Sequence, residues 1–251
     1  MRRLGTCPAQ PGPTVLQDAR VPNTPGRQVE NRLLQGLSKI DYGRLEAQCD
    51  KVELTVGTVL CEPGHPILHV YFPQTAFISQ VVTLYSHPPL QMSLIGNEGM
   101  LGATLALGVN TAPMRAVVQG AGTCLRLSGL QLQVALRESP LLLRRLNQYL
   151  YVQMMQLAQT AACTHFHKIE PRLARWLLMT HDRAHGNHFH LTHMSLANML
   201  GVRRSGVTLA AGALQQRGLI RYTRGEITIL DRKGLEAASC ECYSDTHSTP
   251  L

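Results

Sequence analysis

The chain has no apolar run approaching the ~18 residues that a membrane span needs, and its Arg2-Arg3 start is not followed by the apolar core of a secretion signal. A cytoplasmic protein without membrane contact is the expectation. A C-x-x-C ladder is also missing: seven cysteines (Cys7, Cys49, Cys61, Cys124, Cys163, Cys240, Cys242) stand at irregular spacing. An odd count without a secretion signal suggests reduced thiols rather than a disulfide framework. There is no G-x-S-x-G, no Walker loop and no H-E-x-x-H, and Glu98 and Asp182 stand isolated. No nucleophile, base and acid therefore assemble into an enzyme signature, and a non-enzyme is expected.

The most informative scarcity is local. Residues 191–225, LTHMSLANMLGVRRSGVTLAAGALQQRGLIRYTRG, contain five arginines (Arg203, Arg204, Arg217, Arg221, Arg224) and no acid. Nothing within the stretch neutralises that charge, so a polyanion is the natural partner. The rest of the chain agrees: of a net charge of +8, residues 1–28 carry four bases against one acid, 29–167 nine against eight, and 168–251 eleven against seven. The excess sits in an N-terminal arm and a C-terminal domain, as expected if the middle is a protein core or sensor.

Within the acid-free stretch, Leu196, Ala197, Leu200, Val202, Val207, Ala211 and Leu214 follow helical spacing on both sides of Gly201. This predicts two short helices joined by a tight turn, a helix-turn-helix. Thr192 suits the cap of the first helix, and Gly201 permits the positive φ of a left-handed turn. With Val207, Ala211 and Leu214 inward, Arg204, Ser205 and Thr208 lie near the start of the second helix on its other face, the part that can enter a major groove. Arg is the side chain best shaped to make two hydrogen bonds to guanine, and Arg204 is the first candidate for that role. Gly206 and Gly212 count against a helix unless they let its backbone approach a neighbour. The stretch closes on LIRYTRGEITIL, which reads as a β-hairpin wing with Arg224 at its phosphate-facing tip.

At 251 residues the chain has room for two domains. Residues 1–28 hold many prolines and glycines without an apolar face and read as a disordered arm. VENRLLQGLSKIDYGRLEAQC then places Leu33, Leu34, Leu37, Ile40 and Leu45 at helical spacing. From Lys51 to about Leu127, short β-like runs alternate with Gly and Pro, arguing for a sandwich or barrel. A long helical pattern follows to about His165; past Pro140, Leu143, Leu146, Leu150, Gln153, Leu157, Thr160 and Thr164 form a heptad-like seam. Two uses fit the seam, pairing of two copies or packing on its own domain. Dimerisation gains weight because helix-turn-helix proteins read paired half-sites. A further helix should bury Leu173, Trp176, Leu177 and Thr180, and Asp231 should cap a last one carrying Leu235.

This order of parts, over residues 29–242, resembles the Crp/Fnr family of bacterial transcription regulators. EPGHPILHVYFPQTAFIS, IGNEGMLGATLALG and LANMLGVRRSGVTLAAGALQQRGLI carry the resemblance. It implies an α+β fold: an N-terminal β-roll (a jelly-roll-like double-stranded β-helix) over 29–137, a dimerisation helix over 138–166, a winged helix-turn-helix over 167–242 and a flexible tail over 243–251. It further implies a homodimer on a palindromic operator, with RNA polymerase as a further partner. In the family's reading helix an Arg, a Glu and a second Arg commonly contact bases; here Arg204 matches the first, while Ser205 and Leu209 stand at the other two. The operator should therefore differ from those of well-known members. Arg203, with Thr208, takes over part of that work, and Thr192, Arg203 and Arg224 set register on phosphate.

The cyclic-nucleotide site of the family needs a Glu for the ribose and an Arg for the phosphate. Met100 and Met114 stand in those positions, and an apolar residue cannot neutralise a buried phosphate. Arg115 is one place off and, by strand alternation, points the other way. Cyclic-nucleotide binding therefore reads as lost and the effector is unassigned. The cysteine cluster of the family's oxygen sensors is missing, since Cys7 stands alone in the arm, and His65, His69 and His87 are read as turn residues rather than haem ligands. No cofactor and no metal site are expected: His181, His185, His188, His190 and His193 read as a polar turn, and Cys240 and Cys242 as loosely packed terminal thiols. The rival readings are a sensor acting mainly through ligand or protein contacts, and a redox or metal switch.

Overall fold

The computed structural model describes residues 30–184 and 186–247. The arm over 1–28 with Cys7, and His185, lie outside them. No helix among the described residues is long and apolar enough to cross a membrane.

Two short helices, α1 (Arg32–Gln35) and α2 (Lys39–Glu46), open the chain. Asn31 is almost fully buried; its side chain caps α1 and donates to the carbonyls of Pro73 (2.9 Å) and Gly99 (2.8 Å). Seven strands follow: β1 (Asp50–Leu54), β2 (Val59–Cys61), β3 (His69–Pro73), β4 (Phe77–Val82), β5 (Leu90–Ile95), β6 (Arg115–Gly120) and β7 (Gly122–Ser128). They pair antiparallel into two sheets of order β1-β7-β3 and β2-β6-β4-β5. Ile78, Ile95, Ala116, Val118 and Cys124 pack together as one apolar layer. A second core forms where Leu33, Leu34, Phe72, Leu125 and Leu127 meet α3 (Gly129–Glu138) and α4 (Pro140–Phe166). This is the expected β-roll.

Pro140 occupies the first turn of α4, where its missing N–H costs nothing, and Ser139 caps the helix. The buried stripe of α4 is Leu142, Leu146, Tyr149 and Val152. The middle of the heptad-like seam faces its own domain, where Leu146 is fully buried and Leu150 packs on the same core, whereas Leu143 is half-buried and Thr164 is exposed. The outward face is a different stripe, with Tyr151, Met154 and Met155 exposed and Ala158, Ala161 and Ala162 continuing it. Both stripes are apolar, so periodicity alone could not decide which one met the β-roll.

The C-terminal domain comprises α5 (Ile169–Ala184), β8 (His188–His190), α6 (His193–Leu200), α7 (Arg204–Gln216), β9 (Ile220–Thr223), β10 (Glu226–Ile229), α8 (Arg232–Ala238) and α9 (Cys242–His247). Leu173, Leu177, Leu196, Val207, Leu214, Ile227 and Leu235 form its core. As anticipated, Asp231 caps α8 by accepting from the Gly234 amide at 2.9 Å. Two expectations are corrected. The histidine-rich segment is not merely a turn, because Phe189 is buried and draws His188 and His190 into a third strand, giving a sheet of order β8-β10-β9. The tail is not loose from residue 243: α9 runs to His247, and Tyr243 is buried, with its hydroxyl donating to Asp182 at 3.0 Å.

The two domains dock. The Trp176 indole donates to Gln91 on β5 at 3.2 Å, and Arg183 pairs with Glu98 at 2.6 Å, so Glu98 is a tie between domains.

Candidate nucleic-acid interface

The helix-turn-helix forms as its residues dictate. Thr192 Oγ1 accepts from the Ser195 amide at 3.1 Å and caps α6. Gly201 ends that helix at φ 64°, ψ 39°, in the left-handed region, and a Cβ there would meet Leu90 at 2.8 Å. Arg203, extended at φ −71°, ψ 143°, is the N-cap of α7 but supplies no side-chain cap. Gly206 serves close approach, since a Cβ would stand 2.6 Å from Ile169, whereas Gly212 has nothing within 4 Å. The small-residue argument thus holds for the first glycine and not for the second.

With Val207, Ala210, Ala211 and Leu214 buried, Arg204, Ser205, Thr208 and Leu209 share the solvent side of α7. The Arg204 guanidinium makes no hydrogen bond or ion pair among the described residues, and neither do those of Arg203, Arg221 and Arg224. Arg217 differs: it is paired with Glu170 at 2.9 Å. The wing is the β9–β10 hairpin, whose two-residue turn places Arg224 at φ 51° and Gly225 at φ 88°. Two successive positive φ values make the tight turn whose twist matches that of the flanking strands. The nearest acid, Glu226, lies 2.7 Å from both His188 and His190.

His193, read from the sequence as one of a polar cluster, is the first residue of α6 and joins the parts of this surface. Its Nδ1 is 3.0 Å from Thr208 Oγ1, and its ring stacks on Tyr222 of the wing at 4.2 Å and 15°. Burial, and then the Arg204 guanidinium, hold it below the ordinary histidine value. The Thr208 hydroxyl also lies 3.1 Å from the Arg204 carbonyl, so Thr208 is braced from both sides. Only the position of His193 beside the Thr192 cap hinted at this role.

A second site lies between the β-roll and α4: a cavity of about 200 Å³ lined by Met100, Met114, Gln80, Tyr149, Gln153 and Leu157, among others. No Arg or Lys is among its described lining residues. Arg115 faces Glu62 instead, at 3.3 Å.

The third feature was missed. Cys240 and Cys242 are buried, not loosely packed, and sit with Cys163 and His167 so that the four ligand atoms lie within 4.8 Å of one another. The sequence reading assigned no metal ligands and never joined these residues, which lie on α4, at the α4–α5 joint, just before α9 and at its first position. Cys163 and Cys240 share a hydrogen bond at 3.6 Å, which lowers the Cys163 thiol and raises that of Cys240.

Comparison with known proteins bears on the whole arrangement. Residues 171–238 match the model of the Crp-like helix-turn-helix domain. No curated protein matches the sequence. Among solved structures, FixK2 from Bradyrhizobium japonicum is similar with a TM-score of 0.65 and 14% identity, over 76% of this chain and 98% of that one. The c-di-GMP responsive global regulator CLP of Xanthomonas campestris gives 0.63 and 16%, over 76% and 99%. A Crp/Fnr-family transcriptional regulator from Thermus thermophilus gives 0.63 and 22%, over 80% and 100%. The chain therefore carries a Crp-like helix-turn-helix domain over residues 171–238, within a fold similar to those of these regulators.

Proposed function

We propose that the protein is a transcription regulator that binds a palindromic operator as a homodimer. The observation that carries this reading is the unpaired, exposed Arg204 at the first turn of α7, beside an acid-free set of arginines. Arg204 donates to a guanine edge, Ser205 and the methyl of Thr208 meet neighbouring bases, and exposed Leu209 offers an apolar contact to a thymine methyl. Arg203 and the wing-tip Arg224 bind phosphate and fix register. Thr192, whose hydroxyl is taken up by its cap, sets register by holding the first turn of α6. The outward stripe of α4 with Tyr151, Met154 and Met155 pairs two copies.

The cavity does not take a cyclic nucleotide in the usual manner, because Met100 and Met114 supply neither ribose acceptor nor phosphate partner. Selection of bound duplexes from a random pool tests the reading. The expected product is a two-fold symmetric site with half-sites about one helical turn, roughly 34–36 Å, apart. A single asymmetric half-site would remove the dimer from the account, and no enrichment would remove sequence-specific binding.

A further inference from the structure

We propose that Cys163, His167, Cys240 and Cys242 form a tetrahedral zinc site that clamps the C-terminal end of the DNA-binding domain to the end of α4. The donors suit the ion: three thiolates and one imidazole are a closed structural set for Zn²⁺, leaving no position for substrate. The spacing suits it as well. Ligands at about 2.0–2.3 Å across a tetrahedral angle stand roughly 3.5–3.8 Å apart. Cys163 Sγ and Cys240 Sγ are 3.6 Å apart, and Cys242 Sγ and His167 Nδ1 are 3.5 Å apart.

The surroundings are those of a ligated site. His167 turns Nδ1 toward the thiols while Nε2 meets the Glu241 carboxylate at 3.1 Å, the orienting contact that metal-bound histidines usually have. Gln159 donates to Cys242 Sγ at 2.9 Å. Charge gives an independent argument. The Arg175 side chain is more than nine-tenths buried in the cleft that Cys163 also lines, and its Nε and Nη2 make no hydrogen bond among the described residues. A buried guanidinium needs compensation. Zn²⁺ with three thiolates and a neutral imidazole carries one net negative charge, and supplies it.

The ligands come from four places: Cys163 on α4, His167 at the joint between α4 and α5, Cys240 on the link between α8 and α9, and Cys242 as the first residue of α9. Occupancy therefore ties the last turns of the chain to the helix that precedes the DNA-binding domain. This does not depend on how that domain reads DNA.

The test uses the full-length chain purified under reductant without chelator. Elemental analysis should find one zinc per chain. Co²⁺ exchanged for zinc should show thiolate charge-transfer bands and the visible bands of a tetrahedral ion. Cys163→Ser and Cys240→Ser should lose the metal, whereas Cys49→Ser and Cys61→Ser should keep it. Glu241→Gln, at an exposed side chain, should fold normally and bind zinc roughly 10–100-fold more weakly. The proposal is overturned if reduced protein incubated with zinc retains none after desalting, if cobalt gives only an octahedral spectrum, or if the metal-free protein carries a Cys163–Cys240 disulfide.

Discussion

Raising the salt concentration from 50 to 200 mM should weaken DNA binding about a thousandfold. Arg203, Arg221 and Arg224 are exposed and unneutralised in each copy, so two copies offer six cations to phosphate. Each neutralised phosphate releases condensed counterions, and six of them give a slope of about −5 in log affinity against log salt. Arg217 is left out of the count because Glu170 holds it, and Glu226 is turned toward His188 and His190 rather than toward the arginines. Fluorescence anisotropy of a labelled duplex over a salt series measures the slope. A nearly flat response would favour a protein that signals through other contacts and uses the C-terminal domain only as structure.

Tyr151→Asp combined with Met155→Asp should leave a folded monomer that binds the full palindrome roughly 10²–10⁴-fold more weakly while binding a half-site as before. Both side chains are exposed, 56% and 47% respectively, so their loss should cost each copy little stability. Two carboxylates on a stripe that meets its own copy would confront two more across a two-fold axis, which opposes pairing directly. Affinity falls because linked half-sites share one binding event, and separate copies must each pay the full cost of association. Sedimentation together with binding to full and half sites separates the effects. A variant that remains dimeric would move the pairing surface away from α4.

The elements that local chemistry specifies were legible before any coordinates. Thr192 announced a cap, Gly201 a left-handed turn, Pro140 a helix start, and Thr-Arg-Gly a hairpin tip. Each depends on one residue type meeting one backbone requirement, and the structure has all four. What stayed hidden depends on contacts far apart in sequence. The stripe of α4 that meets the β-roll, with Leu142, Leu146, Tyr149 and Leu150, and the outward stripe with Tyr151, Met154 and Met155 are both apolar, and only the position of the β-roll selects the first. Phe189 made a strand out of a histidine-rich segment because it had a core to enter. Cys163 and Cys240 are separated by 77 residues, so no spacing rule could join them. Buried thiols near the C-terminus were readable only once α9 was seen to fold back on α4.

The candidate reading surface shows the same division. Arg203, Arg204, Ser205 and Thr208 were placed by helical phase from Val207 and Leu214, which needs no tertiary information. That His193 stacks on Tyr222 and braces Thr208 needed the wing to fold back against α6. The exposure of Leu209, 76%, follows from the same phase and supports an apolar contact where the family more often has a charge.

Competition binding of Arg204→Ala against the wild-type chain tests the central claim most directly, with the selected operator and a random duplex as rivals. Losing a bidentate contact to guanine should reduce discrimination by about 1–3 kcal/mol per half-site, roughly 5- to 150-fold, and leave affinity for random duplex within a few-fold. Unchanged preference for the operator would show that Arg204 does not read bases, and the account of this surface would fail with it.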